Sequence, residues 1–349
     1  MRSSLLRRTV LAAALAAVVS AAPRAAADRK LEIEWIDTLG GAATLIVTPA
    51  GESILVDTGW PGFDSRDARR IKAALDRNGL TAIDHLIITH YHTDHYGGVP
   101  QLAALVPIKH FYDHGPMSAL PEDRNFAQLY GAYRAAAKDT TTTLKPGDTI
   151  ALKQGTGPKL TLTVVAADGQ AIGGAAAPAN PACASAVAQP DDVTDNRRSV
   201  AFVLRYGDFD FYDGGDLTGD VEAKLACPVD RVGPIDLYQV THHGQDNSNN
   251  PVLLSTLKPT VAVMNNGPRK GGQPSVFETL RKSPAFEDIW QGHLALGAPK
   301  EVNTDERMIA NMGPTAECTG NLLELSVAPN GTYTMTNVRN GFSKSYRAR

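Results

Sequence analysis

Three of the chain's nine histidines, His90, His92 and His95, fall within six residues, and Asp94 sits among them. Neutral imidazole and carboxylate are the groups that hold divalent transition metals. A metal held this way polarises an electrophile and makes water nucleophilic near neutral pH. The flanks suit such a site. Asp84–Thr89 is a short apolar run that reads as a buried strand. Gly97 and Gly98 let the backbone turn before a helix at Val99–Leu105. The cluster is therefore expected on a loop at the end of a buried strand, where α/β proteins place their sites.

Further candidates follow strands in the same way. Ala43–Val47 and Ser53–Val56 lead to Asp57-Thr58-Gly59; Asp57 there is either a turn residue or a carboxylate that orients metal ligands. Ile108–Asp113 leads to His114, which faces either the cluster or solvent. Ser199–Tyr206 and Asp208–Asp213 pair and end at Gly214-Gly215-Asp216. Asp216 also stands where it can cap the helix Thr218–Cys227. Val232–Val240 delivers Thr241-His242-His243-Gly244.

The run His90-x-His92-x-Asp94-His95 resembles the signature of the metallo-β-lactamase superfamily, and Asp57-x-Gly59, Gly215-Asp216 and His242/His243 follow in that family's order. The doubled histidine with Gly244 and Ser248, and the segment Pro259–Gly267, are similar to the lactamase-like domain of bacterial DNA-uptake competence proteins. The resemblance covers most of residues 31–270. It implies a four-layer αββα sandwich of the α/β class, with an inserted helix and loop region and two divalent ions at one end. His90, His92 and Asp216 would hold the first ion. Asp94, His95, Asp216 and one of His242/His243 would hold the second, with His242 favoured as ligand and His243 as a neighbouring or substrate contact. Asp94 and Asp57 would be the catalytic carboxylates, Asp94 moving a proton and Asp57 orienting ligands. Water activated between the ions would attack a carbonyl carbon or a phosphorus. The family's further histidine has no counterpart in Thr194–Ser199. Asp195 or Asn196 would fill that place, and an oxygen there would move preference from zinc towards manganese or iron.

The rest of the chain bounds what these residues can serve. Residues 1–27 carry Arg2, Arg7 and Arg8, a ten-residue apolar segment at Val10–Val19, and Ala25-Ala26-Ala27. They read as a secretory signal peptide, with a partial twin-arginine pattern. Its removal takes four arginines and no acid, so the net charge of −3 becomes −7. An acidic body argues against a protein that grips nucleic acid through phosphates, and no other apolar run is long enough for a membrane span. Residues 28–349 read as one domain, with a core at about 31–270 and a C-terminal extension at 271–349. Asp64–Asn78 is an amphipathic helix. Glu122–Lys138 is a helix placed over the site, with Tyr130 and Tyr133 in the core or along a cleft. Trp290–His293 reads as a loop, and Asn321–Val327 with Thr332–Val338 as a closing hairpin. Cys183, Cys227 and Cys318 are structural; in an oxidising compartment two pair and one is left over.

The expected function is an exported hydrolase with two divalent ions, zinc first, acting on an ester, lactone, amide or phosphoester of a small molecule. A phosphodiesterase or nuclease of the competence-protein type, and a metal-bearing binding protein without turnover, are the alternatives.

Overall fold

The computed structural model describes residues 30–173, 178–313 and 318–349, so the expected signal peptide at 1–27 lies outside the described residues. Two sheets form. β1 (Leu31–Trp35), β2 (Thr44–Val47), β3 (Ser53–Val56), β4 (Ile83–Ile87), β5 (Ile108–Asp113) and β6 (Thr141–Thr143) lie in the first. β7 (Thr149–Ile150), β8 (Leu160–Ala167), β9 (Gln170–Ala171), β10 (Ala201–Tyr206), β11 (Phe209–Asp213), β12 (Leu237–Gln239), β13 (Val261–Met264), β14 (Asp288–His293) and β15 (Ile309–Asn311) make the second. β16 (Leu323–Val327), β17 (Thr332–Asn337) and β18 (Phe342–Arg347) return to the first, where β16 pairs with β1. The helices are α1 (Arg66–Arg77), α2 (Thr93–Tyr96), α3 (Val99–Ala103), α4 (Phe126–Ala136), α5 (Gly219–Ala226), α6 (Pro251–Leu257) and α7 (Pro274–Arg281).

Period-two alternation decides which side chains meet. Leu31, Ile33, Ile46 and Ile54 face Leu162, Phe202, Leu204 and Val263 across the sandwich. The intervening Leu45, Val47 and Leu55 point the other way, where Ala68, Ile71 and Leu75 of α1 cover them. On the far side Val203, Tyr238 and Ala262 meet Leu225, Leu253 and Phe277 from α5, α6 and α7. The result is a four-layer αββα sandwich.

Three sequence expectations change. Trp290–His293 is not a loop but most of β14, parallel to β13 and β15. Trp290 is buried between the sheets and donates to Tyr346 Oη at 3.0 Å. A strand buried on both faces has no alternation to reveal it. The strand expected over Val232–Val240 is only Leu237–Gln239, because Gly233-Pro234 removes a ladder donor. The helix expected from Glu122 begins at Phe126, and the turn before it frees Glu122 to reach the site. Strands after residue 270 also complete both sheets, and the closing hairpin gains β18 as a third strand.

Asp37, just after β1, ties the first sheet's end to three other segments. Its carboxylate accepts from Arg70 Nη1 at 2.9 Å, from His293 Nε2 at 2.7 Å and from Cys318 Sγ at 3.1 Å. Burial opposes its charge, but the His293 hydrogen bond and the charges of His293 and Arg70 outweigh it and hold the group at about 2. A depressed carboxylate stabilises the fold above its unfolded value and loses that contribution as pH falls through the folded one. Asp37→Asn should therefore cost about 2 kcal/mol at pH 6, with the difference closing between pH 4 and 2. Urea denaturation across that range measures it, and a pH-independent difference would refute the ion-pair account.

Cys183 and Cys227 form a disulfide and Cys318 is free. The bond pins the irregular stretch before β10 to the end of α5. A closed loop of 44 residues removes unfolded-state entropy worth at most about 4 kcal/mol. The double serine variant should lose most of that, read as a lower denaturation midpoint with an unchanged native spectrum.

Candidate metal centre

Four strands end at the same edge of the sandwich and deliver the functional side chains. β3 and β4 run parallel in one sheet, β11 and β12 parallel in the other. Beyond β3 comes Asp57; beyond β4, Thr89 to His95; beyond β11, Asp216; beyond β12, His242 and His243. Val200 N–H to Thr89 O at 2.9 Å stitches the two sheets here, and His242 N–H to Gly215 O at 3.0 Å ties together the loops after β12 and β11 of the second sheet. Gly215 has φ +54°, and a Cβ there would stand 2.8 Å from Thr89 Cβ. Only glycine allows Asp216 this close to the histidine loop.

Several non-glycine residues hold left-handed backbones: Asp57 at φ 61°, His242 at 56° and His243 at 54°. Each costs of order 1 kcal/mol or more, and such residues gather at functional sites. Two successive residues of this kind aim two successive imidazoles into the same site. A Cβ at Gly271 would fall 2.0 Å from His243 O, so the loop after β13 closes directly on this turn.

Asp216 Oδ2 lies at the centre. His95 Nε2 is 3.2 Å away, His243 Nε2 3.3 Å, His242 Nε2 3.5 Å and His90 Nε2 3.9 Å. Asp94 Oδ2 completes one side, 3.5 Å from His95 Nε2 and 3.4 Å from His243 Nε2, while those two nitrogens are 3.2 Å apart. Among Asp94, His95, His243 and Asp216, five of the six donor separations thus fall between 3.2 and 3.5 Å. Separations of this size are those that two ligands of one divalent ion adopt. On the other side His90 Nε2 and His92 Nδ1 are 3.0 Å apart.

Every imidazole has an acceptor on its outward nitrogen. Asp57 Oδ2 takes the proton of His95 Nδ1 at 2.7 Å. Thr89 Oγ1, which itself donates to Asp57 Oδ2, faces His90 Nδ1 at 3.1 Å. Glu122 Oε1 lies 3.5 Å from His92 Nε2. Asn265 O lies 3.3 Å from His243 Nδ1, and Ser248 Oγ 3.2 Å from His242 Nδ1. Partners of this type fix the tautomer and leave the inward nitrogen's lone pair for a metal. The donor set, its spacing and its tautomers fit divalent ions.

The electrostatics agree. Burial lowers His90 well below its ordinary value, with the His95 and His92 rings adding to it. Burial likewise takes His242 down to about 4, against the pull of Asp216. His95 behaves oppositely. Burial opposes its charge, but Asp216, Asp94 and Asp57 raise it well above the usual histidine range. Asp216 and Asp94 stay ionised despite burial; His243 and His95 act on the first, Lys270 and His95 on the second. Negative charge that favours a proton on His95 favours a divalent cation in the same place.

The structure thus brings Asp57, His90, His92, Asp94, His95, Asp216, His242 and His243 together. It reverses the two adjacent histidines: His243, not His242, stands with Asp94, His95 and Asp216. Asp216 is not the helix cap, a position that Thr218 occupies. The carboxylate of Asp195 is turned to Tyr91 N–H at 2.6 Å and His114 Nε2 at 3.1 Å, away from the cluster. His114 is buried against the Tyr91 ring and not among the donors. Together they brace the backbone between His90 and His92. Asn196 Nδ2 reaches His242 Nε2 at 3.5 Å. Tyr133 packs in the core and donates to Asp113.

Sequence reasoning missed Glu122, Thr89 and Lys270. Glu122 belongs to no motif, and only the turn before α4 brings it in. Lys270 contacts Asp94 and lies over the Trp60 ring with its side chain 31% exposed. Its one signal is the basic pair Arg269-Lys270 in a loop of glycines.

Residues 36–164 match the model of the metallo-beta-lactamase superfamily. The chain is 28% identical over 260 residues to Recombination protein 2 of Haemophilus influenzae, an alignment covering 72% of this chain and 26% of that protein. It is 37% identical over 115 residues to a protein named metal-dependent hydrolase from Cupriavidus taiwanensis, covering 28% of this chain and 35% of that one. A solved metallo hydrolase from Ignicoccus hospitalis superposes with TM-score 0.40 and 13% identity, over 74% of this chain and 94% of that one. The chain spans about a quarter to a third of the length of these two curated relatives.

Proposed function

Because residues 36–164 belong to the metallo-beta-lactamase superfamily, we propose that the protein is a metal-dependent hydrolase of a small ester, lactone, amide or phosphoester. The observation that carries this reading is the convergence of Asp94, His95, His243 and Asp216, with five donor separations of 3.2–3.5 Å, beside the His90–His92 pair. Divalent ions held there supply Lewis acidity and lower the pKa of water. The chain's own groups do the rest. Asp57 and Thr89 lock the rings of His95 and His90. Asp94, kept ionised by Lys270 and His95 against its burial, takes up a proton from the attacking water. Lys270, at the mouth, donates to an oxygen that gains negative charge. Zinc suits the nitrogen-rich donor set, and manganese or iron is the alternative if an oxygen joins it.

We place the protein outside the cytoplasm. The basic-apolar-small pattern of residues 1–27 and the Cys183–Cys227 bond support export to an oxidising compartment.

A second reading, phosphodiester cleavage in nucleic acid, is favoured by the long alignment to Recombination protein 2. The net charge of −7 without residues 1–27 weighs against it. The test is a screen of the metal-loaded protein on nitrophenyl esters, lactones, β-lactams, bis-nitrophenyl phosphate and single-stranded DNA, with and without chelator. Chelator-sensitive turnover of a small substrate is expected. Turnover of DNA alone selects the second reading, and metal-bound protein without turnover on any of them overturns both.

A further inference from the structure

We propose that the cleft formed by the loop Gly267–Gln273 beside the metal centre is an anion subsite, so that the small substrate carries a carboxylate or phosphate group apart from the bond that is cleaved. This rests on the hydrolase reading above and names the kind of substrate its site would take.

Three observations carry it. First, the lining is cationic. The cleft, about 350 Å³, is lined by Gln245, Arg269, Lys270 and Gln273 together with glycines and a proline, and no carboxylate lines it. Arg269 is exposed there and, among the described residues, pairs with no carboxylate. A free guanidinium grips carboxylate and phosphate oxygens two at a time. On a chain whose charge without residues 1–27 is −7, a local cationic lining of this kind draws anions to one place. Gln273 Oε1 already accepts from Asp246 N–H at 2.8 Å, which leaves the N–H groups of that amide for a ligand.

Second, the loop is fixed before any ligand arrives. Gly267 N–H donates to Lys270 O, Gly272 N–H to His243 O and Gln273 N–H to Gly244 O, each at 2.9 Å. Gly271 and Gly272 have φ of +72° and +62°, and a Cβ at Gly272 would stand 2.6 Å from Ala295 Cβ. Glycine allows this path, and the two cations ride on a turn tied to the histidine pair. A pre-organised loop loses little freedom on binding. Third, the cleft adjoins the metal centre. Lys270 reaches from it to the Asp94 carboxylate, with Nζ 5.2 Å from the centre of the Trp60 ring. Gln245 Nε2 lies 2.9 Å from His242 Nε2. An anionic group held by Arg269 therefore sits one lysine side chain from Asp94.

The test is titration of the full chain with inorganic phosphate and with acetate. The readout is the fluorescence of Trp60, whose ring lies against Lys270 while Trp35 and Trp290 are buried. Saturable binding is expected, and the tighter of the two anions names the group. Arg269→Gln should weaken it by about 10-fold or more, and Arg269→Lys by less. Asp216→Ala should keep it, since Asp216 does not line the cleft; wild type stripped by chelator and desalted serves if that variant does not fold. No saturable binding overturns the proposal. So does binding that is lost without metal and unchanged in Arg269→Gln, which is an anion on the metal alone. A second measurement compares kcat/KM for two nitrophenyl esters of equal length, one ending in the tighter-bound group and one neutral. A preference of about 10-fold for the anionic ester is expected, falling towards one in Arg269→Gln. Equal rates in wild type overturn the proposal. Anion binding as expected without turnover of either ester supports the subsite and removes the hydrolase reading. Turnover without anion binding removes the subsite and leaves the hydrolase reading standing.

Discussion

Asp216→Ala is expected to lower turnover by more than about 1,000-fold, equivalent to about 4 kcal/mol of barrier. Asp216 stands between the two halves of the centre. Its Oδ2 lies within 3.2–3.9 Å of four imidazole nitrogens, and no second carboxylate touches all of them. Removing it takes away the carboxylate that, among the described residues, lies against all four imidazoles. The fold should survive, because Asp216 itself belongs to none of the three apolar clusters of the sandwich. Circular dichroism and a denaturation curve check that half of the prediction. A variant that keeps a tenth of the wild-type rate would refute the shared-ligand role.

Asp57→Asn should weaken metal binding by about 10–100-fold while hardly changing the side chain's volume. The carboxylate accepts from Thr89 N–H at 2.8 Å, from Thr89 Oγ1 at 2.7 Å and from His95 Nδ1 at 2.7 Å. An amide has one acceptor oxygen and must turn its N–H groups towards one of these donors. Either the histidine loop loses its backbone anchor or His95 loses the acceptor that sets its tautomer. Competitive zinc titration reads the change, and stability should fall too, by about 1–3 kcal/mol for a buried group left unpaired. Unchanged zinc affinity would show that Asp57 only shapes the turn.

Much of this centre was legible because its residues sit where strands end. His90, His92, Asp94 and His95 lie on one loop, so their spacing alone announces convergence. Asp57, Asp216 and the paired histidines each follow an apolar run, and the α/β rule puts such positions at one edge. What the sequence left open depends on backbone angles and on distant contacts. The order of His242 and His243 is set by two left-handed residues, which no composition reveals. Asp195 was a sound candidate by type and place, but the Tyr91 amide and His114 claim its carboxylate. Glu122 and Lys270 come from loops that the sandwich folds over the site. In the fold, Trp-Gln-Gly-His read as a loop because a fully buried parallel strand shows no periodicity, and only the pairing of β13 with β14 identifies it.

The most direct test of the central claim is elemental analysis of the protein purified without chelator. About two divalent ions per chain, zinc foremost, are expected, lost to chelator and restored on reloading. A chain that holds no divalent metal even after loading would contradict it.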